Sequence, residues 1–181
     1  HGGVILTNDL ISQVLLKSGD NAVNYDFCEE LPSSLSGKVW ADPQGDCDYS
    51  TGGILLKGVV IELLDGNGNV IATTTTDDNG HYEFTNLRTG TYSIREQQPA
   101  GYYQGGTHVG SLGGVKGSDL VTSILLGAGE NGINYDFCEN LPASLAGRVW
   151  VEVDMNCVYD AGETLLSGVR IDLLDEHGVV L

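Results

Sequence analysis

The chain repeats itself, and that constrains its fold more than any other feature. Shifted by 110 positions it matches itself without a gap: Asn24-Tyr25-Asp26-Phe27-Cys28 falls on Asn134-Tyr135-Asp136-Phe137-Cys138, and Gly37-Lys38-Val39-Trp40 falls on Gly147-Arg148-Val149-Trp150. The match runs from about Asp9 to Ile71, which falls on Leu181. Residues 37–140 therefore read as one complete repeat. The C-terminal part of a preceding repeat (1–30) comes before it and the N-terminal part of a following one (147–181) after it, as in a tandem array. The chain looks cut inside a repeat at both ends, so an export signal or anchor is expected outside it. Each seam carries Leu-Pro-x-Ser-Leu, at 31–35 and 141–145. A proline there predicts a short, semi-rigid, extended connection between neighbours.

Within 37–140 the strand signals are short and frequent: 38–41, 59–64, 70–75, 81–84, 90–96, 120–126 and 132–137. Tyr82 and Phe84 alternate with Glu83, and Tyr92 and Ile94 with Ser93, the period of a half-buried sheet. Asp65-Gly66-Asn67-Gly68-Asn69 separates two β-branched runs and reads as a hairpin turn. Seven such runs in about a hundred residues predict an all-β sandwich, repeated in tandem.

Aspartate and glutamate number 25 against 8 lysines and arginines, a formal net charge of -17. That field repels nucleic acid and anionic membranes and attracts cations, so divalent metal is the expected partner. No apolar run reaches eighteen residues, and no membrane insertion is expected of this segment.

The stretch Thr76-Asp77-Asp78-Asn79-Gly80-His81-Tyr82-Glu83-Phe84, followed by Leu87, Gly90, Tyr92, Glu96, Pro99 and Gly101-Tyr102, resembles the B-type domains of Gram-positive surface adhesins. Both the serine-aspartate-repeat type (SdrD B-like) and the collagen-adhesin B type are similar to it. The resemblance implies a prealbumin-like or Ig-like (reverse immunoglobulin) sandwich on the cell surface or secreted, used as a spacer, and for the serine-aspartate type it implies calcium held after the first strand. Collagen-adhesin B domains often carry a lysine-to-asparagine isopeptide, for which Lys38 would be the donor. Its counterpart Arg148 cannot form that bond, so none is expected.

The loop after Trp150 and Val151 carries oxygen-bearing side chains at Glu152, Asp154, Asn156, Asp160 and Glu163, positions 1, 3, 5, 9 and 12 of a wrap suited to Ca2+. Glutamate stands at position 1 in place of aspartate, and Cys157 stands at position 6, where a glycine is normal. The counterpart loop, 42–53, keeps Asp42, Gln44 and Asp46 but has Ser50 at position 9 and Gly53 at position 12. It is expected to bind more weakly, with Asp48 compensating in part. Asp77-Asp78-Asn79 reads as a plain turn in preference to a third metal site. The histidines at 1, 81, 108 and 177 show no metal spacing.

Cys28, Cys47, Cys138 and Cys157 follow the repeat, and an exported array would oxidise them. Three pairings exist on paper. Local pairing joins Cys28 to Cys47 and Cys138 to Cys157. If the first and last strands run parallel side by side, however, Cys47 meets Cys138 at one pole, and the sandwich topology favours that bond. Cys28 and Cys157 then need partners in flanking repeats or neighbouring chains.

No Ser-His-Asp set, nucleophile elbow or phosphate loop is present, so an enzyme is not expected. A structural repeat of a stalk or filament, built from neighbouring repeats and identical chains, fits best. An adhesive or carbohydrate-binding module is the alternative; it would use exposed aromatics such as Tyr102 and Tyr103, while Trp40 and Trp150 read as packing anchors.

Overall fold

A computed structural model describes residues 4–7 and 10–181 of the chain, which divides into two compact units, His1–Pro142 and Ala143–Leu181. The first unit opens with a hairpin, β1 (Val4–Thr7) with β2 (Leu10–Ser12). The sandwich follows. Its strands are β3 (Ser33–Asp42), β4 (Ile54–Leu55), β5 (Val60–Leu64), β6 (Val70–Thr75), β7 (His81–Leu87), β8 (Gly90–Glu96), β9 (Tyr103–Thr107), β10 (Val115–Lys116), β11 (Leu120–Leu126), β12 (Asn131–Gly132) and β13 (Phe137–Asn140). One sheet runs β10-β11-β8-β5-β6, entirely antiparallel. The other is built around β3, in the order β12-β3-β13-β9, with β4 and β7 also paired to β3.

The two sheets close on a core whose members obey the period-2 rule. Ile61 and Leu63 of β5, Tyr82 and Phe84 of β7, Tyr92 and Ile94 of β8, and Val121 of β11 all lie inside. The Tyr82 hydroxyl, buried with its ring, donates to the Tyr135 carbonyl at 2.5 Å, so the one polar atom of a core aromatic is satisfied. Asp65 closes the β5–β6 hairpin by accepting from the Asn67 and Asn69 N–H groups, both at 2.9 Å, with Gly68 at φ 85.

β3 runs parallel to both β12 and β13, pairing Gly132 with Leu35 and Phe137 with Val39. The chain thus enters the sandwich at the Ser33 end of β3 and leaves at the opposite pole, past Asn140.

Three expectations about strand limits need correction. The seam 31–35 is not wholly a connector, because β3 already begins at Ser33 and Leu35 is fully buried. The expected run 132–137 is broken: a residue is inserted between β12 and β13, Asn134 sits at φ 63, and Asp136 Oδ1 takes the Lys38 N–H at 2.7 Å where a strand carbonyl would stand. β9 was not foreseen, since Gln104-Gly105-Gly106 carries no strand propensity.

The second unit contains β14 (Trp150–Val151) paired with β15 (Thr164–Leu165), and a bridge between Leu174 and Val180. Asp175 closes a turn there by accepting from His177 and Val179, as Asp65 does one repeat earlier. Among the described residues no helix is long and apolar enough to cross a membrane.

Candidate metal-binding loops

In the 152–163 loop the carboxylates turn inward because the backbone N–H groups draw them there. Glu152 accepts from the N–H groups of Asp154 (3.0 Å), Met155 (3.0 Å) and Cys157 (2.9 Å). Glu163 is buried, and its two oxygens accept from Val153 (3.2 Å) and Asp160 (3.0 Å), lacing both ends of the loop together. Asn156 donates its amide to Asp154 (2.9 Å) and Asp160 (2.7 Å). One oxygen each from Glu152, Asp154 and Glu163 lies within 4.8 Å of the others. Two oxygens on opposite sides of a calcium ion, each about 2.4 Å away, are separated by about that much, so the donor set fits a hard cation. Burial works against the charge of Glu152, yet the N–H donors and the Asp154 and Glu163 side chains hold its carboxyl down to about 2.

Cys157 at position 6 adopts φ 57 and Cys47, its counterpart, φ 55. The sharp turn that usually selects glycine is therefore kept without one, at a modest backbone cost.

The 42–53 loop holds itself differently. Asp42 is buried and accepts from Gln44 (2.8 Å) and Cys47 (2.5 Å); desolvation opposes its charge, but these donors lower its pKa. Asp46 accepts from the Thr51 hydroxyl at 3.2 Å, and Asp48 caps the short 3-10 turn Tyr49–Thr51 through the Ser50 N–H and hydroxyl. Asp48 is thus turned to capping rather than toward Asp42, and Gln44 is exposed. Gly53 stands where the terminal glutamate would be, and a Cβ there would meet Trp40 Cδ1 and Tyr49 Cδ2, both at 2.7 Å. The rings of Trp40 and Tyr49 pack edge to face at 5.7 Å, as Trp150 and Tyr159 do at 5.9 Å in the second loop.

Cys47 and Cys138 are disulfide-bonded, with Cα atoms 5.7 Å apart, while Cys28 and Cys157 are free and exposed. The bond leaves the Asp42, Cys47 and Cys138 cluster with a single ionisable ligand. Gly106 lies opposite Cys138 in β9, and a Cβ on it would meet Cys47 Sγ at 3.0 Å. A Cβ on Gly105 would meet the Cys138 carbonyl oxygen at 2.8 Å, so the bonded cysteines, invisible from the β9 sequence, crowd both glycine positions. Lys38 is exposed with its ammonium 5.6 Å from the Tyr49 ring centre. Asp77 accepts from Asn79 and His81 as a turn residue, and Asp78 pairs with Lys57 at 2.5 Å. Tyr102 packs on the core, whereas Tyr103 is exposed.

The family model for the SdrD B-like domain matches residues 33–136, from the first residue of β3 to the bulge before β13. The chain belongs to the SdrD B-like domain family. Serine-aspartate repeat-containing protein F of Staphylococcus epidermidis is 32% identical over 179 residues, covering 97% of this chain and 11% of its own length. Serine-aspartate repeat-containing protein C of Staphylococcus aureus (strain Newman) is 33% identical over 149 residues, 82% of this chain and 16% of its own. The SdrD B-like chain thus spans a small fraction of the curated relatives it matches. Among solved structures, the Bacillus anthracis TIE protein aligns with TM-score 0.48 and 19% identity, over 77% of this chain and 23% of that one. GBS52, the minor pilin of Streptococcus agalactiae, aligns with TM-score 0.43 and 18% identity, over 66% and 49%.

Proposed function

We propose that this SdrD B-like chain is part of a calcium-binding structural repeat that forms the stalk or filament of a cell-surface or secreted protein. The observation that carries the reading is the parallel β3–β13 pair, which sends the chain in at one pole and out at the other. Repeats joined pole to pole make a row, which is what a spacer requires. Calcium in the 152–163 loop would neutralise Glu152, Asp154 and Glu163 close to a seam and stiffen that row. Asn156 and Asp160 complete the donor set, and the 42–53 loop contributes weaker binding through Asp42 and Asp46. Support for a surface setting comes from the disulfide, which persists in oxidising compartments, and from the names of the matched relatives.

Calorimetric titration of calcium into chelated protein, with Glu163→Gln beside the unaltered chain, tests the metal loop; small-angle scattering with and without chelator tests the stiffening. Weaker binding in the variant and a shorter, softer particle in chelator are expected. Equal dimensions in both conditions would remove calcium from the account of stiffness.

A further inference from the structure

The complete repeat contains a second group of carboxylates, far from any turn and used by neither loop. Glu96 ends β8 in one sheet, Asp119 immediately precedes β11 in the same sheet, and Glu139 lies on β13 in the other. One oxygen from each lies within 4.8 Å of the other two. Glu96 is 3% exposed and Glu139 0%. Both oxygens of Glu96, Oε1 of Glu139 and Oδ1 of Asp119 are buried and accept no hydrogen bond from the protein. Only the margins of the group are satisfied: the Gln98 amide donates to Glu139 Oε2, and the Gln104 side chain bonds to Asp119. The ion pairs among the described residues lie elsewhere, at Lys57–Asp78, Arg95–Glu62, Arg170–Asp172 and, when the imidazole is protonated, His177–Glu176.

Three carboxylates facing one another with no cation among them and donors only at the margins are costly to bury. Burial, then Glu139, then Asp119 push the Glu96 carboxyl up to about 10, so in the bare protein it takes up a proton. Yet the geometry suits more than a shared proton. The oxygens come from both sheets, and none lies more than 4.8 Å from another, the separation across one ion bound at about 2.4 Å. Asp119 is partly exposed, which opens the group to water at one side. The residues are also not incidental to this copy of the repeat, because Asp9 and Glu29 stand at the positions of Asp119 and Glu139 one repeat earlier.

We propose that Glu96, Asp119 and Glu139 form an interior site for a calcium-sized divalent cation that ties the two sheets of the sandwich together. The site stands on its own residues and is independent of the loops. Its chemistry is that of hard oxygen donors, with water entering beside Asp119 to complete the coordination shell.

Calcium is titrated by calorimetry into the chelated full chain in four forms: unaltered, Glu163→Gln, Glu139→Gln, and both together, at pH 7. Thermal midpoints are recorded in calcium and in chelator. If the interior site is real, Glu163→Gln leaves a binding event that the added Glu139→Gln weakens at least tenfold, and the Glu139→Gln variant alone loses one equivalent. Should only the loops bind, Glu163→Gln removes the tight event and Glu139→Gln, alone or added to it, changes nothing, which overturns the interior site. If only the interior site binds, Glu163→Gln is silent and Glu139→Gln abolishes binding. Glu96→Gln serves as the second probe: a variant that folds, gains stability in chelator and keeps full calcium affinity would assign the group to a shared proton and overturn the cation.

Discussion

The loops at 42–53 and 152–163 occupy the same place in successive repeats and share a tryptophan–tyrosine edge contact, yet they are braced by different means. In the second, carboxylates converge: Glu152, Asp154 and Glu163 lie within reach of one ion. In the first, a covalent bond to Cys138 and a packed pair of rings do the bracing, and Gly53 leaves no room for the closing glutamate. One backbone path can therefore be braced by converging carboxylates or by a staple. Which one applies depends on two positions, the twelfth residue of the loop and the partner of the cysteine at its sixth.

Removing the staple is expected to have the largest effect. Cys47→Ser with Cys138→Ser opens a loop closed across 91 positions, and should cost the complete repeat about 4–5 kcal/mol in the chain-entropy view. Chemical denaturation measures it, and calcium affinity at 152–163 should stay as it was; a parallel loss there would erase the distinction between the loops. Next comes Gly53→Glu, which supplies the missing ligand type but drives it into Trp40 and Tyr49. A loss of about 1–3 kcal/mol with no gain in calcium binding is expected, whereas tighter binding would mean the rings yield. Gly106→Ala should be milder, about 1 kcal/mol, because its new methyl crowds Cys47 Sγ at 3.0 Å, a few tenths of an ångström inside contact, where Gly53→Glu meets two rings at 2.7 Å.

The smallest effect is the response to acid in chelator. Glu152 titrates below its unfolded value of about 4.5, so the loop hydrogen bonds it anchors are complete above that value. They are lost as pH falls through about 2. Amide resonances of Met155 and Cys157 should hold their positions at pH 4 and move only near pH 2; movement at pH 4 would mean the donors do not hold Glu152.

Much of the molecule was legible in the residues. The alternation in β7 and β8 and the Asp65 and Asp77 turns are local, and local patterns read directly. The convergence of Glu152, Asp154 and Glu163 follows from a single stretch of chain, because these residues succeed one another along one path. Features that depend on distant strands were not legible. Nothing near Gly105-Gly106 reveals that a disulfide from elsewhere will lie against it, and nothing near Ile133 reveals that β12 and β13 must slip by one residue along β3. The three interior carboxylates lie between these extremes. Glu96 keeps the parity of Tyr92 and Ile94 along β8, a local signal that went unread, and only the fold brings Asp119 and Glu139 to meet it.

The parallel β3–β13 pair has a mechanical consequence. Tension applied along a row of such repeats enters at the Ser33 end of β3 and leaves past Asn140, so it pulls the two strands past one another and loads their hydrogen bonds together instead of unzipping them singly. The Cys47–Cys138 bond then carries the load across the pole directly. The 91 positions it spans are shielded from extension, withholding about 300 Å of chain at about 3.3 Å per residue. A repeat built this way would act under load as a short inextensible link.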